Sequence, residues 1–350
     1  MTGDPPELRG DPRTRWLSVA ATLVLLGVIF GWLLPRFIDF GEVWQAIRTL
    51  TVVEVAILTV LGLLWTAAEA SVNTALVPGL AWWPGYRAWA ASNTASLGPS
   101  PLDLAVRYGM YAEAGVAATP AATGIFLSGI FGFGIRLLIP TVALAVLATT
   151  GRLGPTGVTV AVVAAVGLAA TAGFLGISVA SARFVRWVGS VLERSHNRFL
   201  TRFGRPAIEG LADEAEVLRR RMQATLASRW HLALGAAVVG QMLMVTIFVL
   251  SYRYIGLTPD VVTPFQAFAT YSAGLIANFI PLVPGGIGAS ELIHVLLLTE
   301  FTGADIADEV AAAGFTHRTF TWVLPVVVGG IFLVGWLRRR SVAAATRRHG

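Results

Sequence analysis

The sequence contains no cysteine and no lysine, and only 13% of its 350 residues are charged. Without cysteine there are no disulfides and no thiolate metal centres. Without lysine there is no Gly-x-x-x-x-Gly-Lys-Ser/Thr phosphate loop, which excludes ATP-driven pumping by this chain on its own. The shortage of charge argues against an ordinary soluble domain, because 55% of the residues are hydrophobic and the mean hydropathy is +0.69. The five histidines, His196, His231, His294, His317 and His349, show no ligand spacing, so neither a metal nor another cofactor is expected.

What is present is a succession of apolar segments, and these predict an all-α polytopic membrane protein. Spans of roughly 20 residues are expected near 16–34, 52–77, 119–149, 157–182, 231–252 and 313–337. The first of these follows Arg9, Arg13 and Arg15 and resembles a signal peptide, but its apolar run from Trp16 to Leu34 is too long and lacks a small-x-small cleavage site. It is read as an uncleaved anchor.

Two further apolar stretches are interrupted. Between Tyr86 and Gly115 the chain passes through Ser96-Leu97-Gly98-Pro99-Ser100-Pro101. Between Pro264 and Thr299 it passes through Pro281-Leu282-Val283-Pro284-Gly285-Gly286-Ile287-Gly288. Such breaks leave backbone amides and carbonyls unpaired, which hydrocarbon tolerates only where protein or a water-filled cavity satisfies them. The expected architecture is therefore about six full spans plus two broken or re-entrant helical hairpins. Hydropathy alone leaves open whether each broken stretch dips in and returns or crosses fully.

All 26 basic residues are arginine and the net charge is +6. No soluble module is there to carry nucleic-acid binding, so the charge is read as topology and contact with anionic lipid. Arginines precede the first span, follow the last at Arg338, Arg339, Arg340, Arg347 and Arg348, and crowd the segment from Arg183 to Arg229. Both termini and that segment should face the cytoplasm of a bacterial inner membrane. The chain then divides into a first half, 1–183, a basic cytoplasmic linker, 184–229, and a second half, 230–350, within one integral membrane domain arranged as an inverted repeat. In the linker, Glu209, Asp213, Glu214 and Glu216 precede Arg219, Arg220 and Arg221 in a helix-like charge order.

An ionisable residue within a membrane segment is a functional candidate by default. Glu291 opens the second arm of the second broken stretch, beside the freed amides of Gly286, Gly288 and Ala289. It can cap its own half-helix, take a proton or contact a headgroup amine. Ser290 and His294 stand four apart on one helical face. Arg318, next to His317, opens the last span and can approach Glu291. In the first broken stretch Asp103 and Arg107 are four apart and can pair; alternatively Arg107 can grip a phosphate bidentately. Pro284, Gly285, Gly286 and Gly288 supply a backbone cavity motif. Glu69 and Arg136 are the other ionisable residues in expected spans, and for Arg136 a break between two shorter helices is an equal reading. Trp82, Trp83, Trp89, Trp230 and Trp336 are expected as interface anchors.

No catalytic residue is assigned. Gly288-Ala289-Ser290 matches the Gly-x-Ser of intramembrane serine proteases poorly, because Glu291 stands where that family has Gly.

The run Pro284-Gly285-Gly286-Ile287-Gly288-Ala289-Ser290-Glu291 resembles the Pro-Gly-Gly-x-Gly-x-x-Glu pattern of the lysylphosphatidylglycerol synthase transmembrane-region family, also described as flippase-like. Asn93 to Arg107 is similar to that family's earlier motif at Pro99 and Arg107, and departs from it where Ser100 and Pro101 replace Gly-Arg. The resemblance implies movement of a phospholipid or a polyprenyl-phosphate lipid between leaflets, with a homo-oligomer or an envelope-synthesis protein as further partner. Multi-domain members carry a soluble aminoacyl-transferase domain after the membrane part. This sequence ends in a basic tail at Gly350, so lipid aminoacylation is not expected from this polypeptide. Two alternatives stand beside transport of lipid: a membrane-embedded enzyme or accessory subunit of cell-envelope synthesis, and a proton-coupled small-solute transporter.

Overall fold

Every regular element in the computed structural model is helical among the residues it describes, 45, 48–97, 101–149, 155–202, 209–277, 289–303 and 306–349. The helices are α1 (Val52–Leu76), α2 (Trp82–Ala95), α3 (Leu102–Glu113), α4 (Ala118–Thr149), α5 (Pro155–Ala180), α6 (Ala182–Arg202), α7 (Leu211–Tyr254), α8 (Pro264–Ala277), α9 (Ala289–Thr302), α10 (Ala307–Arg318) and α11 (Leu324–His349). Among the described residues, four stretches are long and apolar enough to cross a membrane: Val52–Leu76, Ala118–Ile135, Leu211–Tyr254 and Ala307–Arg340. A fifth arises if Ala165–Ala180 and Ala182–Arg198, bent by 104° at Ser181, are taken together. The span expected at 16–34 lies outside the described residues, as do Pro284, Gly285, Gly286 and Gly288.

Local sequence signals set the helix starts. Thr51 and Glu54 form a reciprocal capping box at α1, with the Thr51 amide donating to Glu54 Oε2 at 2.7 Å. Thr263 and Gln266 do the same at α8, ahead of Pro264 at the first helical position. Arg136 does not mark a break, because α4 runs through it without interruption.

Each interrupted stretch forms two helices packed along one another, α2 against α3 and α8 against α9. α1 lies along α7, and α2 lies along α11. Thr94 Oγ1 donates to the Val326 carbonyl at 2.6 Å across that second contact. Apolar burial drives little association between helices in lipid, so close packing and interhelical hydrogen bonds of this kind carry more of the fold than they would in water.

The arginine-rich segment is built of two pieces. α6 is amphipathic, and α7 has 44 residues, about 66 Å at 1.5 Å per residue. A bilayer is about 40–45 Å thick with its headgroups, so the charged first turns of α7 must project beyond the hydrocarbon. There Arg219 and Arg220 grip Glu216 at 2.8 and 3.0 Å. Arg219 and Gln223 also donate to the Val179 carbonyl, at 3.0 and 2.8 Å, next to the α5–α6 bend. Helix ends leave carbonyls unsatisfied, and these two side chains from α7 serve one of them.

The five tryptophans expected as interface anchors divide. Trp82, Trp83 and Trp230 are exposed, as interface anchors require. Trp89 and Trp336 are buried instead: Trp89 packs edge-on against Trp65 at 5.9 Å, and Trp336 Nε1 donates to Glu113 at 2.8 Å. Both rings face neighbouring helices, a distinction that helical position in one strand of sequence does not reveal.

Candidate functional site: a buried ion pair beside a polar cavity

α9 begins at Ala289, and its buried face holds Ser290, Glu291, His294, Val295 and Leu298. That spacing is one side of a helix, so Ser290, Glu291 and His294 are carried inward together. Glu291 is 1% exposed. Its partner comes from the end of α10, where Arg318 Nε donates to Glu291 Oε1 at 2.7 Å. Ser290 Oγ donates to Glu291 Oε2 at 3.0 Å and accepts from Arg318 Nη2. One hydroxyl thus bridges the two ends of the ion pair. Taking both charges out of water costs several kcal/mol per ion, and the pairing with its hydrogen bonds offsets that cost.

His294 lies one turn beyond Ser290 and Glu291. Its approach to α8 requires a glycine: a Cβ on Gly274 would sit 2.1 Å from His294 Nε2. On the other side a Cβ on Gly314 of α10 would come within 3.3 Å of Glu291 Cγ. Phe248 of α7 stands edge-on to the rings of His294 and His317, at 5.1 and 5.4 Å.

Arg318 is followed by a single π-helical stretch, Thr319–Val323. Pro325 explains it. Proline has no N–H to give the carbonyl four residues back, Thr321, and the Leu324 amide reaches back five residues to Thr319 instead. Single π-turns inside α-helices recur at functional sites. Here the turn joins Arg318 to α11 without ending the helix.

With Glu291 behind them, Arg318 and Ser290 border a cavity of about 170 Å³. Trp65 and Glu69 of α1, Asn93 of α2, Gln241 of α7, Tyr271 of α8 and Trp322 in the π-turn contribute to its walls, together with Ser290, His294, His317 and Arg318. Met244, Leu275, Pro325 and Val326 also line it, so helices from both interrupted stretches meet at one space of mixed polar and apolar walls. Tyr271 donates its hydroxyl to Gln241 Oε1 at 3.1 Å.

A second polar cluster lies around Arg107. Its guanidinium donates to Ser92 Oγ from Nε and Nη2, at 3.3 and 3.0 Å, and to Asn73 Oδ1 from Nη1 at 3.2 Å. These bonds go to α2 and α1. Asp103 remains in the first turn of α3, half-buried. Asn73 sits one turn after Glu69 on α1 and donates to the Glu69 carbonyl at 2.9 Å, so α1 carries polar groups toward both clusters.

Residues 16–329 match the family profile described as the lysylphosphatidylglycerol synthase TM region. The chain belongs to this family. The lysylphosphatidylglycerol synthase TM-region match takes in α1 to α10, both interrupted stretches and the whole cavity, and it supports a multi-pass membrane protein concerned with lipid. No curated protein matches the chain.

Of the residues expected at a substrate site, the fold gathers Glu291, Ser290, Arg318 and His294 at one place, puts Arg107 in a separate cluster and leaves Asp103 in the first turn of α3. Sequence reasoning did not place Gln241, Tyr271, Gly274 or Gly314 in the site. Glycines and a lone polar residue in apolar helices do hint at close packing or a polar interior. Which helix they approach is not written in their own neighbourhood.

Proposed function

We propose that this protein moves a lipid with a phosphate-bearing headgroup, a phospholipid or a polyprenyl-phosphate intermediate, between the leaflets of a bacterial inner membrane. The observation that carries this reading is the Glu291–Arg318 ion pair, buried among apolar helices, with Arg318 on the wall of a cavity that polar and apolar side chains share. A headgroup crossing hydrocarbon must be shielded from it, and polar space at membrane depth is tolerated where it lies inside protein. Arg318 is the group for the phosphate, because a guanidinium matches phosphate geometry bidentately. A headgroup phosphate that took Arg318 would free Glu291 to accept a proton or an amine, and loss of the headgroup would restore the pair. Arg107, held by Ser92 and Asn73, provides a second phosphate station toward the other interrupted stretch.

The two packed helix pairs, α2–α3 and α8–α9, are the counterparts in an inverted repeat of halves 1–183 and 230–350, with 184–229 as the cytoplasmic connection. Six spans with both termini inside satisfy the arginine distribution.

The test is a leaflet-transfer assay with fluorescent phosphatidylglycerol in vesicles reconstituted with the purified protein. Glu291→Gln and Arg318→Gln should each abolish transfer while the protein still elutes as a folded species. Wild-type rates in both variants would remove the reading. A new lipid product would point instead to an enzyme of envelope synthesis.

A further inference from the structure

Glu113 breaks a local rule. It is the last residue of α3, and the last turn of that helix carries no basic side chain. A helix C-terminus bears partial negative charge and disfavours a carboxylate. Natural sequences break such rules at functional sites, where something else compensates. Here the compensation comes from α11. Trp336 Nε1 donates to Glu113 Oε1 at 2.8 Å, Arg340 Nε stands 3.8 Å from the same oxygen, and the Arg340 guanidinium lies 4.9 Å from the centre of the Trp336 ring. A Cβ on Gly109 would sit 2.8 Å from that ring, so α3 has a gap where the indole enters. Carboxylate, indole and guanidinium form one clasp.

Along α11, Val326, Gly329, Trp336 and Arg340 fall on one helical face. That face is given to the first interrupted stretch. Thr94 donates to the Val326 carbonyl, Gly329 leaves room for the Ala90 carbonyl, which a Cβ would meet at 2.0 Å, and the clasp holds the end of α3. The same helix runs back through the π-turn to Arg318, about 33 Å away at 1.5 Å per residue, where Glu291 of the second stretch holds it. One rod therefore takes an acidic partner from each stretch, Glu113 from α3 and Glu291 from α9. The two grips differ in setting, because Glu291 is buried whereas the Glu113 and Arg340 side chains are 47% and 60% exposed. Exposed ion pairs add little to stability, so stability does not account for the clasp. What it fixes is where the end of α3 sits on α11.

We infer that Glu113 is a positioning residue for leaflet transfer: through Trp336 and Arg340 it ties the stretch that carries Arg107 to the helix that carries Arg318, so that the two stretches move together. Its consequence for transport rests on the lipid reading above. A phosphate that takes Arg318 releases α11 from Glu291. With the clasp closed, α3 and Arg107 follow α11; with the clasp open, α11 moves without them. Coupling of this kind is reciprocal, so a change at either grip is felt at the other.

The test uses the full chain in phosphatidylglycerol vesicles, with leaflet transfer and hydrogen exchange read on the same preparations. Glu113→Ala should slow transfer at least about fivefold while the melting temperature stays near that of the wild type. It should also speed exchange at 289–296 in α9, besides 108–113 in α3. Arg318→Gln should in turn speed exchange at 108–113. Exchange at 165–177 in α5, which belongs to neither stretch, should change in neither variant. Wild-type transfer by Glu113→Ala, or acceleration confined to α3, would reduce the clasp to a local helix end and overturn the inference. A wild-type protein that transferred no lipid would remove the lipid reading, and the exchange at α3 and α9 would still decide the tie.

Discussion

Arg318 Nε lies 2.7 Å from Glu291 Oε1, joining two helices across 27 residues of sequence. With Ser290 bridging them, the two side chains compensate each other inside the protein. Removing one charge should therefore be worse than removing both. Breaking a buried pair on one side costs about 3–5 kcal/mol, whereas replacing both partners by apolar residues is often neutral or stabilising. Glu291→Leu and Arg318→Leu should each lower the melting temperature of the detergent-purified protein. The double variant should melt above either single variant. Simple additivity of the two losses would show that the pair is not coupled.

Gly274 is the place where α8 admits the imidazole of α9. Gly274→Ala puts a methyl where His294 Nε2 now sits, and overpacking of this kind costs about 1–3 kcal/mol. The variant should lose stability and, with His294 displaced, lipid transfer. Adding His294→Ala removes the clash, so the double variant should recover much of the stability and none of the transfer. Melting curves of the two single variants and the double one, set beside their transfer rates, decide this.

Arg107 satisfies Asn73 and Ser92, two buried side chains on different helices. Arg107→Met should leave both without this donor, at about 1–3 kcal/mol for each unsatisfied group. Lysine is not a rescue, because its compact ammonium lacks the fork that reaches both oxygens. Arg107→Lys should therefore resemble Arg107→Met more closely than wild type in thermal stability.

The α5–α6 elbow depends on donors supplied from α7. Arg219→Leu with Gln223→Leu removes both bonds to the Val179 carbonyl. Hydrogen exchange at residues 178–190 should accelerate relative to wild type, and exchange in α1 should not. Unchanged protection at the elbow would mean that the bend is held by apolar contact alone.

Much of the architecture was legible because a bilayer imposes simple rules. α1, α4, α5 and the apolar part of α7 fall where long apolar runs predict them. The interrupted stretches form paired helices where Pro and Gly interrupt the runs. Glu291 was legible as a candidate from its rarity, a carboxylate beside a broken apolar segment. Arg107 was legible for the same reason, but its partners were not: the i, i+4 spacing with Asp103 offered a local answer, and the guanidinium goes to Asn73 and Ser92 instead. Asn73 is 34 residues away, beyond any periodicity. The unbroken path of α4 through Arg136 also required the fold, because one arginine in an apolar run reads equally well as a break between two shorter helices or as a functional residue.

Sequence by itself determined that this chain is helical and membrane-embedded, because composition and run length fix how backbone groups are satisfied in hydrocarbon. It also determined the family, because the Pro-Gly-Gly-x-Gly-x-x-Glu run and the profile across 16–329 are properties of order along the chain. Tertiary structure alone decided that Arg318 belongs to Glu291, that Arg107 belongs to Asn73 and Ser92, and that Trp65, Gln241, His294 and His317 face one cavity. Side-chain partnership depends on which helix faces lie against each other, and that is set by packing at residues such as Gly274 and Gly314, where the absence of a Cβ lets two helices come close.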